Sequence, residues 1–242
     1  FIKLFKIRKP LLYKFDIFSS NRIVSHTSKP ADKRLDLCKL RFKKEGKNME
    51  RMIPFPEKKY NIIYADPPWS YRQCGTSDKS RGTAKKHYPT MTIEDICNLP
   101  LPDITAADGA ACFMWATFPQ YGEAIRVMER WGFEYKTAAF VWVKKYAKSG
   151  KNFWGMGAYT RANAEVCLLG VTPNFKAGEK IVSHAVHQII EAPYDGHSKK
   201  PDETRERIVA LLGDIPRIEL FARQRVNGWD AWGNEVPEGV AV

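Results

Sequence analysis

The chain has 242 residues, 44% hydrophobic and 12% aromatic, with a formal net charge of +12; this is enough apolar material for the core of one large α/β domain and too much for a disordered or collagen-like chain. No run approaches the roughly eighteen apolar residues of a membrane span and no tripartite signal opens the sequence, so a soluble, cytoplasmic chain without membrane contact is expected. Five cysteines (Cys38, Cys74, Cys97, Cys112 and Cys167) stand at wide, irregular spacing without a CxxC pair, which argues against a disulfide framework or a structural zinc, and no metal is expected.

The charge is unevenly spread. Residues 1–48 carry 14 Lys and Arg against 4 Asp and Glu, leaving 25 against 23 for residues 49–242. The first stretch mixes basic and apolar residues without a helical or strand period. The chain's first methionine is Met49, and codons for Lys43 to Asn48 are compatible with a purine-rich bacterial ribosome-binding site. Residues 1–48 therefore read as a basic extension outside the folded domain, with translation expected to start at Met49 or Met52. The alternative is a basic arm that contacts nucleic-acid phosphates. Residues 49–242 are expected to form a single domain.

From residue 60 onward, short β-rich runs alternate with amphipathic helical stretches, the pattern of a mostly parallel sheet flanked by helices. The predicted strands are 60–65, 110–117, 135–143, 165–170, 187–191 and 217–221. A short helix is predicted after Thr92, with Asp95 three residues on as a capping box. The next opens at Pro119, sets Tyr121, Ile125, Met128 and Trp131 on one face, and stops at Gly132. The last spans 201–212, beginning with Pro201, Asp202 and Glu203, whose acids suit the helix dipole, and ending at Gly213. Three long irregular stretches, 70–91, 144–161 and 174–200, separate these elements, and loops of that length inside a compact domain are usually functional. The first holds Arg72, Lys79, Arg81, Lys85 and Lys86 against Asp78 alone, and the second opens on Lys144, Lys145, Lys148 and Lys151. Both leave the carboxyl ends of predicted parallel strands, so they are expected to meet on the ligand side and to contact phosphates through Lys85, Lys86, Lys144 and Lys145.

Asn61 to Trp69 is the most informative stretch, because an apolar strand ends abruptly in Asp66, Pro67, Pro68 and Trp69. In open α/β sheets ligands bind beyond the carboxyl ends of strands, which is where Asp66 falls. Two prolines fix successive φ angles and remove two amide donors, leaving a rigid turn whose carbonyls are expected to be free acceptors. Carboxylate and carbonyl oxygens beside an aromatic face make a receptor for a planar group bearing an NH₂, and adenine is such a group.

The chain carries further segments in a fixed order: His87-Tyr88-Pro89-Thr90-Met91, then Cys112 to Thr117, Trp131-Gly132-Phe133, and Val141-Trp142-Val143-Lys144. These are followed by Ala164 to Leu168, Ser198-Lys199-Lys200-Pro201-Asp202-Glu203, Ile218 to Arg223, and Gly228 to Glu235. In these, over about residues 58–236, it resembles the MT-A family of S-adenosylmethionine-dependent N6-adenine methyltransferases, most closely the prokaryotic and phage branch. The resemblance implies a Rossmann-like methyltransferase core in which the catalytic motif precedes the main cofactor-binding strand, a permuted order. No GxGxxG follows any predicted strand, in keeping with a cofactor held chiefly by side chains.

The resemblance also implies roles. Asp66 and the backbone around Pro67 and Pro68 would orient the adenine amine, Trp69 would shape the base pocket, Tyr88 would stack on the target base, and Glu165 would line its pocket. Lys200 would pair with the methionine carboxylate of S-adenosyl-L-methionine, aided by the helix that follows. Arg223, Asn234 and Glu235 would surround the cofactor's ribose and adenine, and Asp66 would also contact the cofactor. A His-Asn pair that contacts the ribose in the eukaryotic enzyme is replaced here by Gln224-Arg225-Val226, a departure that leaves the ribose contacts open. The implied function is methylation of the exocyclic N6 amine of adenine in nucleic acid, DNA favoured over RNA, in a bacterial or phage-infected cell. The alternatives are a non-catalytic nucleic-acid-binding partner of the same fold, against which the intact Asp66–Trp69 motif speaks, and a cytosine amino-methyltransferase, which usually has Ser in place of Asp66.

Overall fold

The computed structural model describes residues 39–42, 51–70, 91–157, 159–194 and 199–236, with backbone alone at 39–42 and 51–53. Two strands, β1 (Lys39–Phe42) and β2 (Arg51–Pro54), pair antiparallel and span the expected boundary at residue 48. The remaining strands are β3 (Ile62–Ala65), β4 (Ala111–Ala116), β5 (Glu134–Lys145), β6 (Ala164–Val171), β7 (Ile189–Pro193), β8 (Arg217–Leu220) and β9 (Asp230–Trp232). They form one seven-stranded sheet in the order β7-β5-β6-β4-β3-β8-β9. Every pairing in it is parallel except the two made by β6, which runs against β4 and β5. This is the expected mostly parallel α/β sheet.

The helices are α1 (Ile93–Cys97), α2 (Leu101–Ile104), α3 (Tyr121–Arg130), α4 (Ala177–Lys180) and α5 (Glu203–Leu212). Thr92 caps α1 as expected: its Oγ1 accepts the Asp95 amide at 3.1 Å and donates to Asp95 Oδ2 at 2.7 Å. Pro119 lies in a 3-10 turn, Phe118–Gln120, and α3 begins two residues after it. The buried stripe of α3 is Ala124, Val127 and Met128, continued by Trp131, while Tyr121 and Ile125 pack at its margin. Gly132 and Gly213 stop α3 and α5 at φ of 87° and 82°, a conformation with no steric cost for glycine.

Strand alternation divides the core into two faces. Ile63, Ala65, Cys112, Met114, Val166, Leu168, Ile218 and Leu220 face α1, α2 and α3. Ile62, Tyr64, Ala111, Phe113, Trp115, Phe140, Trp142 and Cys167 face the opposite way, where Ile208 and Leu212 of α5 cover them. Apolar residues at consecutive positions of β3 and β4 are thus the consequence of burial on both sides. One buried ion pair fixes α5 to the sheet: Arg205 donates from Nε and Nη2 to the two Glu219 oxygens at 2.7 and 2.9 Å. The same guanidinium lies 5.7 Å from the Tyr64 ring. Among the described residues no helix is long and apolar enough to cross a membrane, and no group of three His, Cys, Asp or Glu is arranged to hold a metal ion.

Candidate active site

The six strands that run alike end along one edge of the sheet, and antiparallel β6 begins there. Asp66 follows β3, Lys144 stands near the end of β5, Glu165 is the second residue of β6, and Lys200 precedes α5. Lys200 Nζ donates to Asp66 Oδ2 at 2.9 Å and lies 3.2 Å from Glu165 Oε2, while Lys144 Nζ donates to Glu165 Oε1 at 2.6 Å. Two carboxylates and two ammonium groups thereby form a chain of net charge zero. It is a buried chain: the side chains of Lys200, Glu165 and Lys144 are 7, 11 and 13% exposed, and Asp66 is 21% exposed.

Electrostatics differ along this chain. Burial, partly offset by the Lys200 ammonium, lifts the Asp66 carboxyl above its ordinary range, and the Glu165 charge adds to the rise. Burial would lift Glu165 as well, but the charges of Lys200 and Lys144 outweigh it and hold that carboxyl low. For Lys200, burial favours loss of the proton, and the two carboxylates reverse this and hold its pKa above the ordinary lysine value. Lys200 is therefore firmly cationic.

Aromatic residues support the chain from the α5 side of the sheet. Trp115 lies 5.8 Å beneath the Lys200 ammonium, and its Nε1 donates to the Tyr64 hydroxyl at 2.7 Å. Lys144 Nζ sits 5.0 Å from the rings of both Trp142 and Tyr194. Trp69 is 5% exposed, and its Nε1 donates to the Trp115 carbonyl at 3.0 Å. That bond ties the Asp66–Trp69 turn to β4, so the ring is built into the core.

The turn itself departs from expectation in one respect. The Pro67 carbonyl accepts the Trp69 amide at 2.8 Å and the Pro68 carbonyl accepts the Met91 amide at 3.1 Å. Both carbonyls are engaged, that of Pro67 because the tight turn folds the Trp69 amide back onto it and that of Pro68 because Trp69 and Met91 form a bridge, and each offers a ligand only its second lone pair.

At the far side of Asp66, β8 is followed by Phe221, the one described non-glycine residue at positive φ (59°), and the Ala222 amide returns to the Trp232 carbonyl at 3.0 Å. This sharp exit sets Arg223 beside the turn after β9, with its Nε 4.0 Å from Glu235 Oε1. Asn234 is half-buried next to Glu235. The Arg223 charge is felt at Asp66, where it opposes the rise of the carboxyl.

Of the residues singled out from sequence, Asp66, Glu165, Lys144 and Lys200 meet in direct contact. Arg223, Asn234 and Glu235 lie along the same edge. Lys145 points to the other side of β5, toward Asn152 Oδ1 at 2.9 Å and Glu191 Oε1 at 2.8 Å. Tyr88, Lys85 and Lys86 lie outside the described residues. Sequence reasoning did not find Trp115, Tyr64, Arg205 or Glu219. The signal for Glu219 was an acid between two buried apolar residues of β8, Ile218 and Leu220.

A permuted sheet with its acidic turn after β3 and its cation before α5 defines a Rossmann-like methyltransferase fold. The chain belongs to the MT-A70 family, whose profile matches residues 60–235. It is 36% identical over 208 residues to the type II methyltransferase M.MunI of a Mycoplasma species, covering 78% of this chain and 84% of that one. More distant are the N(6)-adenosine-methyltransferase MT-A70-like of Arabidopsis thaliana (24% over 184 residues; 73% of this chain, 24% of the relative) and the N(6)-adenine-specific methyltransferase METTL4 of Homo sapiens (26% over 191 residues; 74% and 38%). The chain thus spans most of the Mycoplasma protein but less than half of either eukaryotic relative.

Proposed function

We propose that this protein transfers a methyl group from S-adenosyl-L-methionine to the exocyclic N6 amine of adenine in nucleic acid, with DNA the favoured substrate. The observation that carries this reading is the convergence of Asp66, Glu165 and Lys200, from three separated segments, into one contact at the carboxyl edge of the sheet. The names of the relatives support the same chemistry, since one is described as N(6)-adenine-specific. The resemblance of the terminal segments to the prokaryotic branch favours DNA. On this reading the protein works in the cytoplasm of a bacterial or phage-infected cell.

The donor set fits the cofactor. A methionine end presents a carboxylate and an ammonium, and Lys200 and Asp66 offer adjacent opposite charges 2.9 Å apart. Arg223, Asn234 and Glu235 would hold the ribose and adenine. When bound, S-adenosylmethionine supplies an electrophilic sulfonium methyl.

The rest falls to this chain's own groups. The exocyclic nitrogen of adenine is a poor nucleophile because its lone pair is delocalised into the ring. The Asp66 carboxylate and the second lone pair of the Pro67 carbonyl would accept its two hydrogens, favouring a pyramidal nitrogen whose lone pair points toward the methyl. Lys200 keeps Asp66 charged for this task. Trp69, locked to Trp115, holds the turn in position.

The test is transfer of labelled methyl to matched DNA and RNA oligonucleotides, followed by nucleoside analysis. Label in N6-methyladenine from DNA is expected. Label in cytosine, or none with either polymer, would overturn the assignment.

A further inference from the structure

Between Lys144 and Glu165 the chain leaves β5 and returns into β6 as a ribbon, described except for residue 158. Its root is firmly built. The Lys144 amide donates to the Asn163 carbonyl and the Phe153 amide to the Lys144 carbonyl, both at 2.8 Å. The Phe153 ring packs 4.6 Å from Tyr194 and 5.3 Å from Tyr146. Beyond the root the two limbs touch. A Cβ on Gly155 would lie 1.8 Å from the Ala162 carbonyl oxygen, and one on Gly157 would lie 2.0 Å from that of Thr160. Only glycine permits that approach, so the outer ribbon is one backbone pressed on another, with its large side chains outside.

Those side chains are apolar and bare: Trp154 is 66% exposed, Met156 88% and Tyr159 102%. The charged residues from 146 to 163 are Lys148, Lys151 and Arg161, with no Asp or Glu among them. Arg161 stacks over Trp154 at 5.6 Å. Apolar and aromatic tips among cations alone match bases stacked between phosphates; a protein surface that fitted this ribbon would have to supply every acid itself.

In a duplex the N6 amine lies inside the stack, so its base must leave it, at a cost in lost stacking. Apolar side chains do insert between the base steps of duplex DNA, and an aromatic or apolar face in a vacated position gives the neighbouring bases a stacking surface in place of the one they lose. We infer that Trp154, Met156 and Tyr159 form a wedge that enters duplex DNA beside the target adenine and occupies the space it vacates. This inference rests on the proposed function. The ribbon's root is Lys144, whose ammonium holds Glu165, so the wedge and the site that would receive the adenine share one foundation.

The test is the double variant Met156→Ser/Tyr159→Ser, whose side chains are too exposed to matter for folding. Labelled methyl transfer is measured to unmethylated, linearised plasmid DNA, as native duplex and after heat denaturation and rapid chilling, at one salt concentration. Transfer to the duplex is expected to fall at least tenfold and transfer to the denatured DNA less than threefold, with the same sedimentation coefficient as the wild-type chain. Equal losses on both forms, or no loss on the duplex, would overturn the wedge. So would a wild-type assembly that the substitutions dissociate, which would make the ribbon a protein-protein surface. A wild-type chain that methylates neither form of DNA would overturn the proposed DNA substrate as well, and that control tells the two failures apart.

Discussion

Replacing Lys200 by Met removes the cation that Asp66 and Glu165 share while nearly conserving its volume. Glu165 keeps Lys144 at 2.6 Å, so most of the unpaired charge falls on Asp66. Breaking a buried ion pair from one side typically costs about 3–5 kcal/mol, and the partial exposure of Asp66 points to the lower end, about 3 kcal/mol. For a domain of this size that corresponds to a fall of about 6–12 °C in Tm. The deficit has a pH signature. Without Lys200 the folded-state pKa of Asp66, already raised by burial, moves further above its unfolded value. Between those two values the folded protein holds more protons than the unfolded chain, so stability drops as pH rises. The deficit against the wild type is smallest in acid and complete once pH exceeds the folded pKa. Thermal unfolding at pH 5 and pH 8 should give the larger difference at pH 8, and Asp66→Asn in the same chain should restore part of the loss. Calorimetry should find S-adenosylmethionine bound about 10- to 150-fold more weakly, the equivalent of about 1.5–3 kcal/mol for one charged hydrogen bond. A Lys200→Met protein that melts with the wild type at both pH values and binds cofactor equally well would refute this account.

Asp66→Ala should abolish methyl transfer while leaving cofactor binding measurable by calorimetry; near-normal turnover would move the active site elsewhere. Glu165→Gln removes a carboxylate that raises Asp66, so the Asp66 pKa should fall and the acid limb of the pH–rate profile should shift to lower pH. Trp69→Phe leaves the buried Trp115 carbonyl without its donor and should cost about 1–3 kcal/mol in denaturant unfolding, together with a lower kcat as the turn loosens. A chain beginning at Met49 retains every strand of the seven-stranded sheet and should fold and methylate at moderate salt; a large loss of activity, or a flattened salt dependence of binding, would assign residues 1–48 to substrate binding.

The edge on which the site is built was legible in the sequence because Asp66, Lys200 and Arg223 each sit next to an element whose type is strongly patterned. How they meet was less so. Lys144 stood in a run of lysines and read as a phosphate contact, yet strand parity sets it on the same face of β5 as Phe140 and Trp142, each 1% exposed, and so turns it inward. Its partner depends on the direction of β6, which no local pattern encodes. β9 is three residues long, between Trp229 and Gly233, too short to show an alternation. Arg205 and Glu219 were each readable as surface charge; only the docking of α5 on β8 makes them a buried pair, and that packing is a long-range outcome. The prolines misled in the opposite direction, since a rigid turn suggested free carbonyls where tightness put the Trp69 amide on Pro67 and a long-range bridge put the Met91 amide on Pro68.

The reversal of β6 has a consequence for how such a protein diversifies. Because β5 ends and β6 begins at the same edge, the excursion between them departs and lands a few ångströms apart, with the Lys144 amide on the Asn163 carbonyl closing its neck. Lengthening, shortening or replacing what lies beyond the neck leaves Lys144 and Glu165 where they are. On the proposed function the excursion is a graftable cassette: exchanging it between relatives should transplant whatever it does at the substrate without re-engineering the chemistry beneath.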